Sequence, residues 1–364
     1  MIELRTSERA TFKRCPQRWE WGVKEQLSPH RESTPLWFGT AVHIALSEWY
    51  QLGLKRGPHP ALTFLKVLEG DRSIRISTQW EKSEEDFMKA RDLGQEMLTN
   101  YVEHWGKDPD KFYICTEQTG SIYLPKLHEK TGKGIKYYFT FDGVYRDEKT
   151  GYIWLDEHKT AASIDPFSLP LNQQASSYWA VAEGMLKRRG LIDKSDHIQG
   201  IMFNFLRKAP KDKRPRNADG LATNKPIRQD FVAAFEEAGL PPQIFMRAKV
   251  ARLHEIAHEE HIQVLGAVSA VQTSELFERH PVFRSPGERR TQLVNVRKDA
   301  WHIDRARNDP EYPITKNPTK DCKWDCDFYR MCQLHEEGDM ESVEDYKEAM
   351  YTIRDPYEAY RKSA

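Results

Sequence analysis

Two acidic side chains and a lysine, on two neighbouring predicted strands, are the first candidates for chemistry. Asp142 interrupts an apolar, aromatic segment, and Glu157 and Lys159 end the next one. Because side chains alternate along a strand, Glu157 and Lys159 point to the same face, and a hairpin register would bring Asp142 close to Glu157. Two carboxylates at adjacent strand ends suit Mg²⁺ or Mn²⁺, and a nearby lysine can orient a water molecule for phosphodiester hydrolysis. The alternative is a pair of surface acids and a salt-bridged lysine on a hairpin.

Three further side chains are candidates to support this site. His43 lies on a segment with helical spacing, and an imidazole delivered to two carboxylates would shift the metal preference toward Mn²⁺. A histidine on an apolar helix is also a common core residue. Gln174 and Tyr178 are one helical turn apart and share a face, so they either contact the metal-bound water or a phosphate, or simply pack.

Four cysteines form a second candidate site. Cys15 lies near the start of the chain, and Cys322, Cys326 and Cys332 fall within eleven residues near the end. Four thiolates of this kind hold iron–sulfur clusters or structural zinc, and such a set would join the two ends of the chain. The alternative is scattered buried thiols, which is how we interpret Cys115 in its apolar, strand-like segment.

Composition narrows the class of protein. The chain has 364 residues, 30% charged and 39% hydrophobic, which is typical of one or two globular domains with a polar surface. No apolar run approaches the ~20 residues of a membrane span, and the N-terminus has no signal-peptide core. We therefore expect no membrane partner and a cytoplasmic location, where cysteines bind metals rather than form disulfides.

Local charge says more about partners than the net charge, which is zero. Residues 207–216 contain six cations and one anion, and the Pro- and Gly-containing continuation predicts a mobile loop. Such a loop can contact a phosphate backbone, although basic stretches are often only solvated surface. The candidate DNA contacts are Arg207, Lys208, Lys211, Lys213, Arg214 and Arg216.

Hydrophobic periodicity predicts the elements that position these residues. We expect helices at 6–23, with Thr6 or Ser7 as its cap, and at 39–54, 60–70, 83–105, 170–188, 226–265 and 287–308, with a helical acidic tail. Strands are expected at 112–124, 136–146, 152–158 and 197–206. This order predicts one α/β body over 1–364, divided into a helical part (1–110), a core (111–210), a basic loop and helices (211–308) and a cysteine region with the tail (309–364).

The order of the motifs resembles the PD-(D/E)XK nuclease superfamily. The residues that carry the resemblance are Cys15, Gly39-X-X-X-His43, Asp142-Gly143, Glu157-X-Lys159, Gln174-X-X-X-Tyr178 and the three clustered cysteines. More narrowly, the chain is similar to RecB-like exonucleases with an iron–sulfur cluster, including AddB nuclease domains, CRISPR-associated RecB-like exonucleases and small phage exonucleases.

The resemblance implies a restriction-endonuclease-like α/β fold, with a central mixed sheet flanked by helices, additional helices and a C-terminal iron–sulfur region. It implies that His43, Asp142, Glu157 and the backbone carbonyl of His158 bind the metal and that Lys159 is catalytic. Gln174 and Tyr178 would support them, and Cys15, Cys322, Cys326 and Cys332 would hold a 4Fe-4S cluster. Two departures matter. Family members often have Asp where Glu157 stands, so register could exchange it with Asp156, and the Cys322–Cys326 spacing keeps zinc as an alternative.

The function implied is a Mn²⁺- or Mg²⁺-dependent DNA exonuclease, acting 5′ to 3′ on single-stranded or end-containing DNA in recombination, repair or replication. A homo-oligomer or a recombination-protein partner, and the host cytoplasm for a phage-encoded protein, fit this expectation. The alternative is a non-catalytic DNA-end-binding module stapled by a four-cysteine metal centre. The chain contains no Gly-X-X-X-X-Gly-Lys-Ser/Thr phosphate loop, which argues against a helicase.

Overall fold

A mixed sheet of six strands is the centre of the first of two units into which the chain folds. The computed structural model describes residues 1–30, 34–76, 83–124 and 132–363. The first unit comprises residues 1–209 and 277–364, and the second comprises residues 210–276. The region 211–308, grouped together on sequence, is therefore divided between the two units.

The strands are β1 (Ile2–Arg5), β2 (Leu27–Pro29), β3 (Lys111–Tyr123), β4 (Ile135–Asp147), β5 (Ile153–Ala161), β6 (Ile198–Arg207), β7 (Phe277–Phe283) and β8 (Tyr351–Ile353). The large sheet has the order β1-β4-β5-β6-β7, and β3 pairs with β4. β3 runs antiparallel along the whole of β4. β1 and β5 must therefore share the other edge of β4, β1 at 135–138 and β5 at 143–146.

The helices of the first unit are α1 (Thr6–Arg14), α2 (Pro16–Trp19), α3 (Thr34–Trp49), α4 (Pro60–Ile76), α5 (Ser83–Trp105) and α6 (Gln173–Arg188). In the second unit lie α7 (Arg228–Glu237), α8 (Pro242–Phe245) and α9 (Val250–Glu259), and the first unit resumes with α10 (Pro286–Asn308), α11 (Cys322–Asp325), α12 (Tyr329–Glu336), α13 (Met340–Met350) and α14 (Glu358–Ser363). α6 packs on β4, β5 and β6, and α3 contacts β4 and β5. The prediction of an α/β fold with a mixed sheet flanked by helices is confirmed.

The main core lies between the sheet and the helices α6 and α10. Tyr137, Phe139 and Phe141, which alternate along β4, face this core, and Tyr138 on the opposite face of β4 is buried against Tyr357. β4 is therefore buried on both faces here, as its continuous apolar run predicts. The second unit has its own small core, formed by Phe231, Phe235, Phe245, Leu253 and Ile256 of α7–α9. Among the described residues, no helix is both long and apolar enough to cross a membrane.

Several element boundaries differ from the sequence expectation. The expected helix 6–23 ends at Arg14, because Cys15 is extended (φ −158°) before Pro16, which disfavours helical geometry in the residue preceding it. Its N-cap is Arg5, not Thr6 or Ser7. The helix that carries His43 is shifted to 34–49, and the expected helix 226–265 is broken into three short helices.

Two strands of the large sheet were not predicted. β1 has only four residues, too few to show a period. β7 contains Pro281, and a proline argues against a strand because it lacks a backbone donor. It is tolerated here because β7 lies at the edge of the sheet, next to β6.

The C-terminal tail returns to the N-terminal segment. β8 pairs antiparallel with β2, and the buried side chain of Tyr357 donates a hydrogen bond to Glu8. Arg307 Nη2 lies 2.5 Å from Glu8 Oε1. Protein contacts alone therefore join the two ends of the chain.

Close packing of α4 on α5, beside the helix that carries His43, gives a stability prediction. A Cβ at Gly94 would lie 2.2 Å from Phe64 Cζ and 3.0 Å from Phe38 Cε2. We expect Gly94→Ala to lower the free energy of unfolding by about 1–3 kcal/mol through overpacking, measured by urea denaturation. The control is Gly70→Ala on α4, where nothing lies within 4 Å and a gain of about 0.5–1 kcal/mol is expected. Equal stability of Gly94→Ala and the wild type would contradict this packing.

Candidate active site

The site forms where β4 and β5 separate. Their ladder runs from Arg146 opposite Ile153 to Gly143 opposite Asp156, and β5 then continues along β6 as far as Ala161. Just past the last rung, Asp142 Oδ2 accepts a hydrogen bond of 2.6 Å from the His158 amide. Asp142 also lies between the ladder with β1 and the ladder with β5, so its carboxylate is placed in the opening between them.

Glu157 and Lys159 project from β5 toward the start of α6. Lys159 Nζ lies 2.5 Å from Glu157 Oε1 and 3.4 Å from Gln174 Oε1. Gln174 Nε2 in turn lies 3.4 Å from the Tyr178 hydroxyl, one helical turn further on. Asn172 caps α6 by accepting a hydrogen bond from the Ala175 amide, which fixes the first turn of the helix.

His43 reaches the same opening from α3. Its Nδ1 lies 2.9 Å from Asp142 Oδ1, and its ring meets the ring of His158 edge-on at 6.3 Å between centroids. The structure therefore brings together six of the sequence-predicted side chains, namely His43, Asp142, Glu157, Lys159, Gln174 and Tyr178.

Charge in the site is balanced as two coupled pairs. Burial opposes ionisation of Asp142, but the charge and hydrogen bond of His43 and the His158 amide hold its pKa below the usual value. Asp142 in turn raises the pKa of His43. Burial raises the pKa of Glu157, and the charge of Asp142 raises it further, although Lys159 opposes the shift. Burial opposes ionisation of Lys159, but the charge and hydrogen bond of Glu157 raise its pKa. The two carboxylates therefore repel each other, and His43 and Lys159 offset this repulsion.

Asp156 points to the other face of β5 and takes no part in this group. It is fully buried, accepts hydrogen bonds from Lys111 Nζ (3.1 Å) and the Tyr113 hydroxyl, and leaves one oxygen unpaired. Gly143 permits this contact, since a Cβ there would lie 2.9 Å from the Tyr113 ring. Burial lowers the pKa of Lys111 to about 8, against the opposing charge of Asp156. The structure thus places Glu157, rather than Asp156, beside Lys159.

His158 contributes its backbone to the site but directs its ring away from it. The ring stacks on Tyr50 at 5.8 Å, and its Nδ1 lies 2.9 Å from Asn204 Nδ2. Burial lowers the pKa of this imidazole. The backbone contact seen is that of the amide with Asp142, and the role of the His158 carbonyl as a metal ligand stays a prediction.

A buried polar network behind β5 was missed on sequence. Asn204 Nδ2 lies 2.6 Å from the Tyr101 hydroxyl, and the hydroxyls of Tyr101 and Tyr50 are 2.6 Å apart. The Tyr50 hydroxyl also donates a hydrogen bond to Asp108, which forms an ion pair with Arg279. The signal that could have found it is Asn204 itself, an amide inside the apolar strand β6, because buried polar groups need partners.

The four cysteines all lie in the first unit, and none forms a disulfide. The chain around Cys15 is held against the segment before Cys322 by Gln17 N to Thr315 O (3.1 Å) and Asn317 Nδ2 to Arg14 O (3.3 Å). The Thr319 amide donates to Cys322 Sγ at 3.3 Å and lowers the pKa of that thiol. Burial raises the pKa of Cys332, and the charges of Cys15 and Cys322 add to it.

Cys115 differs from these four. It is buried inside β3, and burial raises its pKa to about 12, so it stays a protonated thiol at neutral pH.

Neither candidate metal site is arranged as a ligand shell. Among the described residues, no group of three or more His, Cys, Asp or Glu side chains could hold a metal ion as placed. In the first site the reason is visible, because His43 and Lys159 each occupy an oxygen of the carboxylates. The donor chemistry nevertheless fits a divalent cation, since two buried carboxylates that repel each other share the opening with one imidazole.

The predicted DNA contacts are distributed over both units. Arg207 Nε bonds the Ala162 carbonyl, and Lys208 lies near the Phe38 ring, both in the first unit. In the second unit, Arg214 pairs with Asp212 at 2.8 Å and bonds Ser269, and Arg216 bonds the Gly220 carbonyl. Lys211 and Lys213 are exposed. The loop expected to be mobile is thus tied by contacts of its own arginines.

Comparison with known families agrees with this geometry. The family model of the PD-(D/E)XK nuclease superfamily matches residues 6–333, which include every element of the site. The chain belongs to the PD-(D/E)XK nuclease superfamily. Membership indicates a nuclease, and nucleases of this superfamily use divalent metal ions such as Mg²⁺ or Mn²⁺ and bind DNA. No curated protein matches the chain.

The two adjacent acids of β5 should differ sharply in their effect on stability. Asp156→Ala leaves the Lys111 ammonium buried without its partner, so we expect a loss of about 3 kcal/mol or more in the free energy of unfolding. Glu157→Ala should cost less than about 1 kcal/mol, because the partly exposed Lys159 can reach solvent. Urea denaturation of both variants measures the difference. Equal losses would show that the two faces of β5 are assigned incorrectly.

Proposed function

We propose that this nuclease is a Mn²⁺- or Mg²⁺-dependent DNA exonuclease that acts on single-stranded or end-containing DNA in recombination, repair or replication. The observation that carries the proposal is the contact of Lys159 with Glu157, 2.5 Å apart, beside the Asp142–His43 pair at the opening between β4 and β5. A protein that only binds DNA ends has no need of a lysine held beside two acids.

Asp142, Glu157 and His43 would hold the metal, with the backbone of His158 next to them. A divalent cation there would supply positive charge at the scissile phosphate and make a water molecule more acidic. In its absence, His43 lies against Asp142 and Lys159 lies against Glu157, which offsets the charge of the two buried carboxylates. Without these two side chains, the buried carboxylates would lack partners of opposite charge, which is costly inside a protein.

Lys159 is the residue that would orient the attacking water. Its ammonium is held from one side by Glu157 and from the other by Gln174, so its direction is fixed before the substrate arrives. Gln174 is oriented in turn by Tyr178, and both belong to the capped first turns of α6. An ammonium so placed can also donate hydrogen bonds to phosphate oxygens as their charge increases.

The four cysteines Cys15, Cys322, Cys326 and Cys332 would hold a structural 4Fe-4S cluster, with zinc as the alternative. Unpaired thiols and an amide donor to Cys322 Sγ support a thiolate site. The RecB-like subtype and a 5′ to 3′ polarity rest on the motif order. Arg207, Lys208, Lys211, Lys213, Arg214 and Arg216 would contact DNA, and we expect the protein to act in the cytoplasm, as a homo-oligomer or with a recombination protein.

Removing either the lysine proposed to orient the water or a carboxylate proposed to hold the metal should abolish hydrolysis. We expect Lys159→Ala and Asp142→Ala to lower the cleavage rate by about 10²-fold or more while the circular dichroism spectrum is retained. The assay is anaerobic cleavage of 5′- and 3′-labelled single strands with Mn²⁺, and the labels report polarity. The matched control is Lys149→Ala, which removes an exposed lysine 2.6 Å from Asp110 and should leave cleavage unchanged.

Robust Mn²⁺-dependent cleavage by both catalytic variants would refute the site. A gel shift by the wild type without cleavage would instead favour the non-catalytic DNA-end-binding module.

The cysteine proposal predicts a coloured protein. Cys326→Ser should lose the brown colour and the bound iron and should melt at a lower temperature, because metal binding contributes folding free energy. Absorption spectra and iron analysis of anaerobically purified protein measure this. Cys115→Ala is the control and should keep its colour, since Cys115 lies inside β3. A colourless wild type with stoichiometric zinc would refute the iron cluster but retain the four-cysteine site.

A further inference from the structure

The loop 162–172, between β5 and α6, exposes two large apolar side chains. Phe167 is 91% exposed and Leu171 is 83% exposed, more than any other large hydrophobic side chain in the described parts of the chain. Single exposed hydrophobic residues are ordinary on protein surfaces. These two need a further argument, which comes from how the loop is held and where it lies.

The loop is anchored and not loosely attached. Leu169 is 4% exposed and belongs to the main core. The Phe167 amide donates to Asp165 Oδ1 at 3.1 Å, and Arg284 Nη2 donates to the Pro170 carbonyl at 2.8 Å. Leu169 and the partly buried Ile164 contact the core, whereas Phe167 and Leu171, on either side of Leu169, point outward from a backbone held by these contacts.

Both stems of the loop are walls of the active site. The loop leaves β5 two residues after Lys159 and enters α6 directly before Gln173, next to Gln174. Lys159 Nζ and Gln174 Oε1 are 3.4 Å apart, so the loop begins and ends at the contact that orients the catalytic lysine.

Cationic residues lie at the first stem. The Lys208 amide donates to the Ala161 carbonyl at 2.7 Å, and Arg207 Nε donates to the Ala162 carbonyl at 3.3 Å. The loop thus combines an exposed aromatic ring with cationic residues at its stem. Proteins bind unpaired nucleic-acid strands with such a combination, in which the backbone meets positive charge and a base stacks on the ring.

We propose that Phe167, flanked by Leu171, is a stacking platform for an unpaired base of the DNA strand whose phosphate enters the Asp142–Glu157 site. This inference rests on the proposed function and deepens it, because it assigns a residue that would contact the bases of an unpaired strand. Every base has a π face, so the contact is independent of sequence. In a duplex both faces of an internal base are covered by its neighbours, so the platform favours a single strand or a frayed end.

The test is equilibrium binding of a fluorescein-labelled single strand in EDTA, where no cleavage occurs. Phe167→Ala should weaken binding by about tenfold, within the range measured for loss of one base–aromatic stack. Phe167→Trp should restore it. A strand with the same phosphates but abasic residues should bind wild type and Phe167→Ala equally. Leu62→Ala, which removes a 64% exposed leucine from α4, should bind like the wild type.

The outcomes separate this inference from the proposed function. Unchanged binding by Phe167→Ala, or an equal loss on the normal and the abasic strand, overturns the platform whether or not the wild type cleaves DNA. Loss of binding that requires bases and is rescued by Phe167→Trp supports the platform. This holds even if the wild type cleaves no DNA with Mn²⁺, because absence of cleavage refutes only the nuclease proposal. A wild type that binds neither strand refutes both.

Discussion

The hydrogen bond from the His158 amide to the Asp142 carboxylate is the contact on which the candidate site depends. β5 can leave β4 at this point because it stays paired with β6 as far as Ala161. The backbone donor exposed by the separation needs a partner, and Asp142 supplies one at 2.6 Å. The same carboxylate then faces His43 across the opening. One side chain therefore both ends the ladder and provides an acid at the place where the sheet opens.

The two faces of β5 divide the work between chemistry and structure. Glu157 and Lys159 face the opening, and Asp156 and the His158 ring face a closed network of buried hydroxyl, amide and charged groups. Because Asn204 and Tyr50 hold the His158 ring, the backbone at residue 158 is fixed as well. The polar network behind the strand thereby orients the amide that holds Asp142. Buried polar groups are costly unless each has a partner, and a network in which they are paired makes the structure around it rigid.

Local patterns predicted most of the site, and long-range contacts decided the remainder. Strands β4 and β5 and helix α6 follow from alternation and helical spacing, so the grouping of Asp142, Lys159 and Gln174 could be expected from the sequence. The choice between Asp156 and Glu157 could not, because a shift of one residue exchanges the faces of a strand. That choice depends on Lys111, which is distant in sequence. The break at Cys15 was predictable from Pro16 but was missed.

The contacts between the chain ends change what the cysteines can be expected to do. From the sequence, we expected a four-thiolate centre to join the two ends of the chain. In the structure, β2 pairs with β8, and Glu8 bonds both Tyr357 and Arg307, so the ends are joined by protein contacts. A cluster would therefore act locally on α11 and α12, beside a small core that includes Trp21, Phe328, Met331 and Leu334. Cys326 and Cys332 pack against that small core, so the cysteine segment itself would be the part most sensitive to loss of a metal bound there.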